Sequence, residues 1–248
     1  MSGGVSADHP LAAVLAALRS IFGTADRLPG VTPGLLVHDA AGWTPAARLA
    51  GDLLPVLLAR AERRWRAQPH VAASLAWKAY TYWLTLPAVL GFAVARRVPL
   101  LTGDAVLVRF DDPRTLVTLG VRADVAVAVL PGDPFAGRPG VEVVAGAGEL
   151  LAALRRSLLD EHLMPLLDAL QVTRIGRRVL LGSLASAMAY GLTRTPEPAG
   201  PVLAALGLGG LVEIVPPGVV QRRTCCLAFT LAQPKLCTDC CLPARACQ

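Results

Sequence analysis

Six cysteines occur in this chain of 248 residues, and all of them fall between positions 225 and 247. Cys225 and Cys226 are adjacent, ten residues then lead to Cys237, and two more lead to Cys240, giving C-C-x10-C-x2-C. Cys241 and Cys247 follow outside that pattern. Thiolates are soft ligands that suit zinc and iron–sulfur clusters. Everything before the cluster is thiol-free, so the distribution points to one compact sulfur-ligated site rather than to cysteines used as core filler.

Three chemistries compete for such a site. A disulfide framework belongs to oxidising compartments and to small domains short of core. Here the chain is long and 54% hydrophobic. Its opening residues lack the basic, apolar and cleavage regions of an export signal, so nothing marks it for export. Structural zinc takes four thiolates in a tetrahedron, each pair gripping from one knuckle. Cys237 and Cys240 fit that spacing. Cys225 and Cys226 do not, because adjacent side chains point apart unless the backbone turns sharply. An iron–sulfur cluster also takes four thiolates. Neither ferredoxin spacing matches, so spacing alone leaves iron and zinc both open.

The tail resembles the iron–sulfur segment of the FhuF-type ferric-siderophore reductase family, which carries C-C-x10-C-x2-C near its C-terminus. The resemblance continues upstream through His162-Leu-Met-Pro-Leu166, Arg177-Arg-Val-Leu-Leu-Gly182 and the small-residue run that follows. It departs at Leu181 and Ser183, where Trp and Asn are the expected residues, and at Cys241, where Pro is commoner. It is good over about the last ninety residues and faint before them. It implies a [2Fe–2S] cluster held by Cys225, Cys226, Cys237 and Cys240, passing one electron to a bound ferric siderophore. Cys241 stands ready to replace Cys240 if the loop shifts by one residue. Hydroxamate and catecholate oxygens are hard donors that hold ferric iron far better than ferrous iron. One electron therefore turns a locked chelate into a labile one.

The expected function is ferric-siderophore reduction in iron acquisition, with the siderophore of hydroxamate type. An iron–sulfur electron carrier or sensor without siderophore reduction, and a zinc-stabilised binding module, are the alternatives. Neither a phosphate-binding loop nor a dinucleotide fingerprint is present. Electrons are then expected from an external ferredoxin or flavoprotein reductase. From Gln221 onward Arg222, Arg223, Lys235 and Arg245 face only Asp239, a local balance of +3. Such cations stabilise a reduced, anionic cluster and steer an acidic donor; individually they read equally well as solvated tail charges. The overall charge of +6 and isoelectric point near 9.3 are scattered and accompany no nucleic-acid motif, so nucleic acid is not an expected partner.

The elements that must position this site read as an α+β fold, predominantly helical, with a small antiparallel sheet in the middle. Apolar spacing predicts a helix over 10–22, and another from Thr44-Pro45 to Arg66 with a kink at Pro55. A third helix is expected over 71–96, and two more over 148–170 and 173–193. Between 98 and 146, short β-branched runs at 105–110, 115–119, 125–130 and 141–144 read as strands. Residues 195–201 read as a linker, and Gly207–Gly210 as a helix C-cap and turn. The expected domains are 1–215, helix-rich, and 216–248, the iron–sulfur segment packed on it.

Mean hydropathy is high, +0.51, and residues 79–95 carry no charge. That run is short of the roughly twenty residues of a membrane span and reads better as a core helix. The expected location is cytoplasmic, with peripheral contact at the inner face of a membrane left open. Trp65, Trp77, Tyr80 and Trp83 read as core aromatics before siderophore platforms. His162, beside Glu161, reads as a packed histidine before a proton donor.

Overall fold

The computed structural model describes residues 9–23, 30–112, 115–216 and 218–242. Cys247 and Arg245 lie outside them. The α+β reading holds. Helices α1 (Ala12–Phe22), α2 (Leu54–Trp65), α3 (Pro69–Leu90), α4 (Ala147–Leu154), α5 (Met164–Leu170), α6 (Arg177–Leu192) and α7 (Ala199–Ala205) surround short strands. A mixed sheet of order β1-β5-β4-β2 joins Val31–Val37, Thr118–Arg122, Val106–Arg109 and Thr44–Pro45. A second, of order β3-β6-β7, joins Arg97–Pro99, Val127–Val129 and Val141–Val143. β8 (Val212–Val215) and β9 (Val219–Arg222) form an antiparallel hairpin.

The middle strands fall where β-branched residues cluster, but two of the pairings, β1 with β5 and β6 with β7, are parallel. Strand β1 is absent from the sequence reading because Pro33-Gly34 reads as a turn; its register shifts between Val31 and Leu36, with Leu35 left-handed at φ 64°. The single helix expected from Thr44 is also corrected. Thr44–Pro45 pairs with β4, a 3-10 turn follows over Ala46–Ala50, and Pro55 opens α2 rather than kinking a longer helix. Proline suits that first turn because its missing N–H has no intrahelical partner there. The 148–170 helix persists as α4, a π-helical stretch over Arg155–Leu163, and α5. Residues 199–201 of the expected linker already belong to α7, and Gly207 turns the chain after it at φ 74°.

The centre of the molecule is α3 packed on α6. Both are buried almost all round, α3 through Ala72, Ala73, Ala76, Trp77, Tyr80 and Leu84, α6 through Leu184, Ala185, Met188 and Ala189. Most of the run 79–95 is therefore core, and among the described residues no helix is long and apolar enough to cross a membrane. Small residues along α6 let its neighbours approach closely. A side chain at Gly191 would press on Val89 and Leu86 of α3.

Two polar anchors lock α3 in place. Trp77 Nε1 donates to the Leu180 carbonyl at 2.7 Å. Tyr80 Oη lies 2.7 Å from His162 Nε2, and His162 Nδ1 lies 2.9 Å from the Leu101 carbonyl. A carbonyl only accepts, so Nδ1 carries the proton and Nε2 accepts from the tyrosine. Trp77, Tyr80 and His162 are thus structural. Burial pushes His162 down to about 4.

Because the folded state holds His162 neutral while the unfolded chain protonates it near 6.5, acid favours unfolding. Stability contributed by this group is complete above pH 6.5 and drains away as pH falls toward 4, by on the order of 3 kcal/mol. Urea unfolding of wild type and His162→Leu across pH 4–7 should show the gap between them shrinking in that window. A constant gap would mean that the imidazole does not titrate there.

Candidate iron–sulfur site

Strand β9 delivers the chain to Arg222, and the two adjacent cysteines follow after Arg223 and Thr224. The sharp turn that neighbouring thiols demand is present. Leu227 adopts a left-handed conformation at φ 65°, outside the regions most side chains favour, and a short 3-10 turn at Ala228–Thr230 follows. The loop then doubles back, with Lys235 N donating to the Ala228 carbonyl at 3.1 Å. A second turn places Cys240 N on the Cys237 carbonyl at 3.1 Å.

The sulfurs of Cys226 and Cys237 lie 3.2 Å apart. Cys225 Sγ accepts from Leu227 N at 3.3 Å, and Cys240 Sγ from Leu242 N at 3.4 Å. Such N–H···S contacts are a standard means of stabilising thiolate charge. The charges of Cys226, Cys241 and Cys240 all bear on Cys225, whose thiol is raised first by burial. Cys241 thus approaches the site alongside Cys240. No three cysteine, histidine or acidic side chains among the described residues converge as a finished metal cage. What is formed is one sulfur pair with three thiols on the same two turns.

The floor beneath the pair is apolar. Val71 and Leu75 of α3 pack with Cys226, Ala228 and Leu231, and Ser74 Oγ donates to the Cys226 carbonyl at 3.0 Å. The surrounding charge is a network rather than a solvated tail. Arg222 has a fully buried side chain, and its Nε sits 2.7 Å from Asp239 Oδ2 in an ion pair without hydrogen-bond alignment. Its Nη1 donates to Ser183 Oγ at 3.3 Å. Asp239 accepts from Ser186 Oγ at 2.5 Å and from Lys78 Nζ at 3.3 Å. Burial works against the Arg222 charge, but Asp239 and the Cys226 sulfur outweigh it and keep the guanidinium protonated. Lys78 is held charged in the same way, by Asp239 and Cys237 against burial. The Cys226 thiol is lowered, first by the hydrogen bond from Cys237 and then by Arg222, while Cys237 as donor is raised. Of the other expected cations, Arg223 faces Glu213 at 3.7 Å and Lys235 is exposed.

Soft donors on two turns, an apolar floor and two buried or half-buried cations make a surrounding suited to an anionic thiolate-ligated cluster. Sequence reasoning left Arg222 open between a cluster cation and a solvated tail charge, and gave Lys78 no part in the site. It took Ser183 as a departure from the family pattern. Here Ser183 is the hydroxyl that meets Arg222.

A cavity of about 620 Å³ opens beside the second cysteine turn. Tyr82 and Lys78 of α3, Tyr190 of α6, and Arg194 just beyond it form one wall, the β8–β9 turn another, and Thr238 and Asp239 the end nearest the cysteines. Sequence reasoning named other aromatics; Tyr82 and Tyr190 carried no signal beyond their type. His162 is not among the lining residues.

Residues 222–242 match the family model of the FhuF 2Fe-2S C-terminal domain, in agreement with the resemblance carried by the cysteines. This segment makes the chain an iron–sulfur protein whose cofactor is a [2Fe–2S] cluster. No curated protein matches the chain. Among solved structures it resembles aerobactin synthetase IucA from a hypervirulent pathotype of Klebsiella pneumoniae, at 18% identity and a TM-score of 0.52 over 63% of this chain and 31% of that one. The ATP-bound form of the same synthetase gives 19% identity and 0.53 over 69% and 32%. At that identity the likeness is one of fold, and the chain spans about a third of the synthetase.

The docking of the cysteine turns onto α6 depends on Gly182, where a Cβ would collide with Thr224 Oγ1. Gly182→Val should lower stability by about 1–3 kcal/mol, the usual range for overpacking, and reduce iron bound per chain. Thr224→Ala should recover most of the loss in Gly182→Ala. Additive effects in that double-mutant cycle, followed by thermal unfolding and iron analysis, would refute the contact.

Proposed function

We propose that this protein reduces ferric siderophores, with Cys225, Cys226, Cys237 and Cys240 as the cluster ligands. The reading is carried by one observation: a cavity large enough for a small-molecule chelate shares Thr238 and Asp239 with the turn that bears Cys237 and Cys240. Pockets of several hundred Å³ suit ligands of that size. The FhuF-type segment supports the same chemistry from the sequence side.

When bound, the [2Fe–2S] cluster supplies one-electron redox chemistry at this end of the molecule. The reaction balances with an external donor, a ferredoxin or flavoprotein reductase, oxidised by one electron while Fe(III) of the chelate becomes Fe(II). The chain's own residues prepare the place. Arg222 and Lys78 offset the negative charge that reduction adds. Val71, Leu75 and Leu231 exclude water from the buried side of the cysteine turns. Ser183 and Thr238 give the cavity hydroxyl groups that can meet chelate oxygens. His162 is buried, tied to Tyr80 and Leu101 and outside the cavity lining, so it is not the proton donor for a released hydroxamate.

Anaerobic protein should be coloured, give a one-electron paramagnetic signal after dithionite, and be reoxidised by a ferric hydroxamate. Cys226→Ser should lose visible absorption and iron; Cys241→Ser should keep both while Cys240→Ser loses them. Colourless protein carrying one zinc would overturn the cluster assignment. A reduced protein that no ferric siderophore reoxidises would leave an electron carrier or sensor instead.

A further inference from the structure

We propose that the cavity beside the cysteine turns selects ferric chelates with net negative charge, through Arg194, against the ring wall of Tyr82 and Tyr190. This rests on the reductase reading and adds the substrate class to it.

The charge balance of the lining points that way. Lys78, Arg194 and Asp239 are its ionised residues. The Asp239 carboxylate already meets Arg222, Ser186 and Lys78. Arg222 and Lys78 are committed to that carboxylate and to the cysteine turn, which leaves Arg194 as the lining cation that can meet a ligand. A ligand entering from solvent meets this exposed cation beside the aromatic wall.

Arg194 is held for a planar anion. Its guanidinium lies 4.7 Å from the centroid of the Tyr190 ring, and Nη2 donates to Tyr190 Oη at 2.9 Å. Stacking fixes the fork of a group with five donors, which favours bidentate recognition of carboxylates. Tyr82 and Tyr190 stand 5.5 Å apart, tilted at 44°. Burial, with the hydrogen bond to Tyr190, pushes Tyr82 upward, so its phenol stays neutral. The wall therefore offers apolar faces and hydroxyl groups without adding negative charge.

The consequence is a preference among hydroxamates. Three hydroxamates cancel the charge of a ferric ion; two leave +1, so a dihydroxamate that also carries two or more carboxylates makes the chelate anionic. The second class matches this lining; the first gains only the ring wall.

Gallium(III) complexes test the site without reduction, because gallium does not accept the electron. With the cluster-loaded protein, the Ga(III) complex of a dihydroxamate that carries two or more carboxylates should bind about tenfold or more tightly than that of a neutral trihydroxamate, by titration calorimetry. Arg194→Gln should remove most of that preference and leave the neutral complex within about twofold, with visible absorption unchanged; Tyr190→Ala should weaken both. Equal binding of the two complexes, an unaltered preference in Arg194→Gln, or no binding of either would overturn the proposal. Arg194-dependent gallium binding with no reduction of the matching ferric chelate would uphold the site and defeat the reductase reading instead.

Discussion

The arrangement of this end of the molecule depends on one buried guanidinium. Taking Arg222 out of water costs several kcal/mol unless its charge is matched. The match comes from Asp239, seventeen residues further along. The two are joined twice, because Arg222 N also donates to the Asp239 carbonyl at 2.9 Å. Everything between them, including three of the expected ligands, is thereby closed into a loop whose ends cannot separate without exposing an unpaired charge. Ser183 and Ser186 fasten that pair to α6, and Lys78 fastens it to α3. Trp77 on Leu180 also ties α3 to α6, and Tyr80 on His162 ties α3 to the π-helical stretch over Arg155–Leu163. The rigid core and the cysteine turns are therefore one mechanical unit, and no separate clamp is required to position the sulfurs.

Much of this was legible in sequence because the signals were local. The helices around α3 and α6 follow apolar runs, and the middle strands follow β-branched runs between Gly, Asp and Pro. The cysteine spacing announced a thiolate site, and its resemblance to one family chose iron over zinc. What escaped was set by partners distant in sequence. Strand β1 contains Pro33-Gly34 and exists because β5 receives it. Pro55 reads as a kink until the 3-10 turn before it is known. Arg222 reads equally as a cluster cation or a tail charge until it and Asp239 are seen enclosed together. Tyr82 and Tyr190 line a cavity made by three elements brought together only in the fold, whereas Trp77 and Tyr80, equally aromatic, are absorbed by the core.

Fold and chemistry separate cleanly here. The architecture is shared in outline with a synthetase at under one-fifth identity, a distance at which function does not travel with fold. The match that carries chemistry spans only residues 222–242. The small residues of α6 connect the two. Gly182 admits Thr224, Ser183 meets Arg222, Ser186 meets Asp239, and Ala187 and Tyr190 face the cavity. One helical face thus serves the cysteine turn along its first half and the cavity along its second. A larger residue at 182 would push the turn outward, and the same displacement would carry Thr238 and Asp239 away from the cavity they help enclose. The geometry of thiolate ligation and the geometry of ligand capture are in that sense a single packing problem, solved by a run of residues chosen for how little space they take.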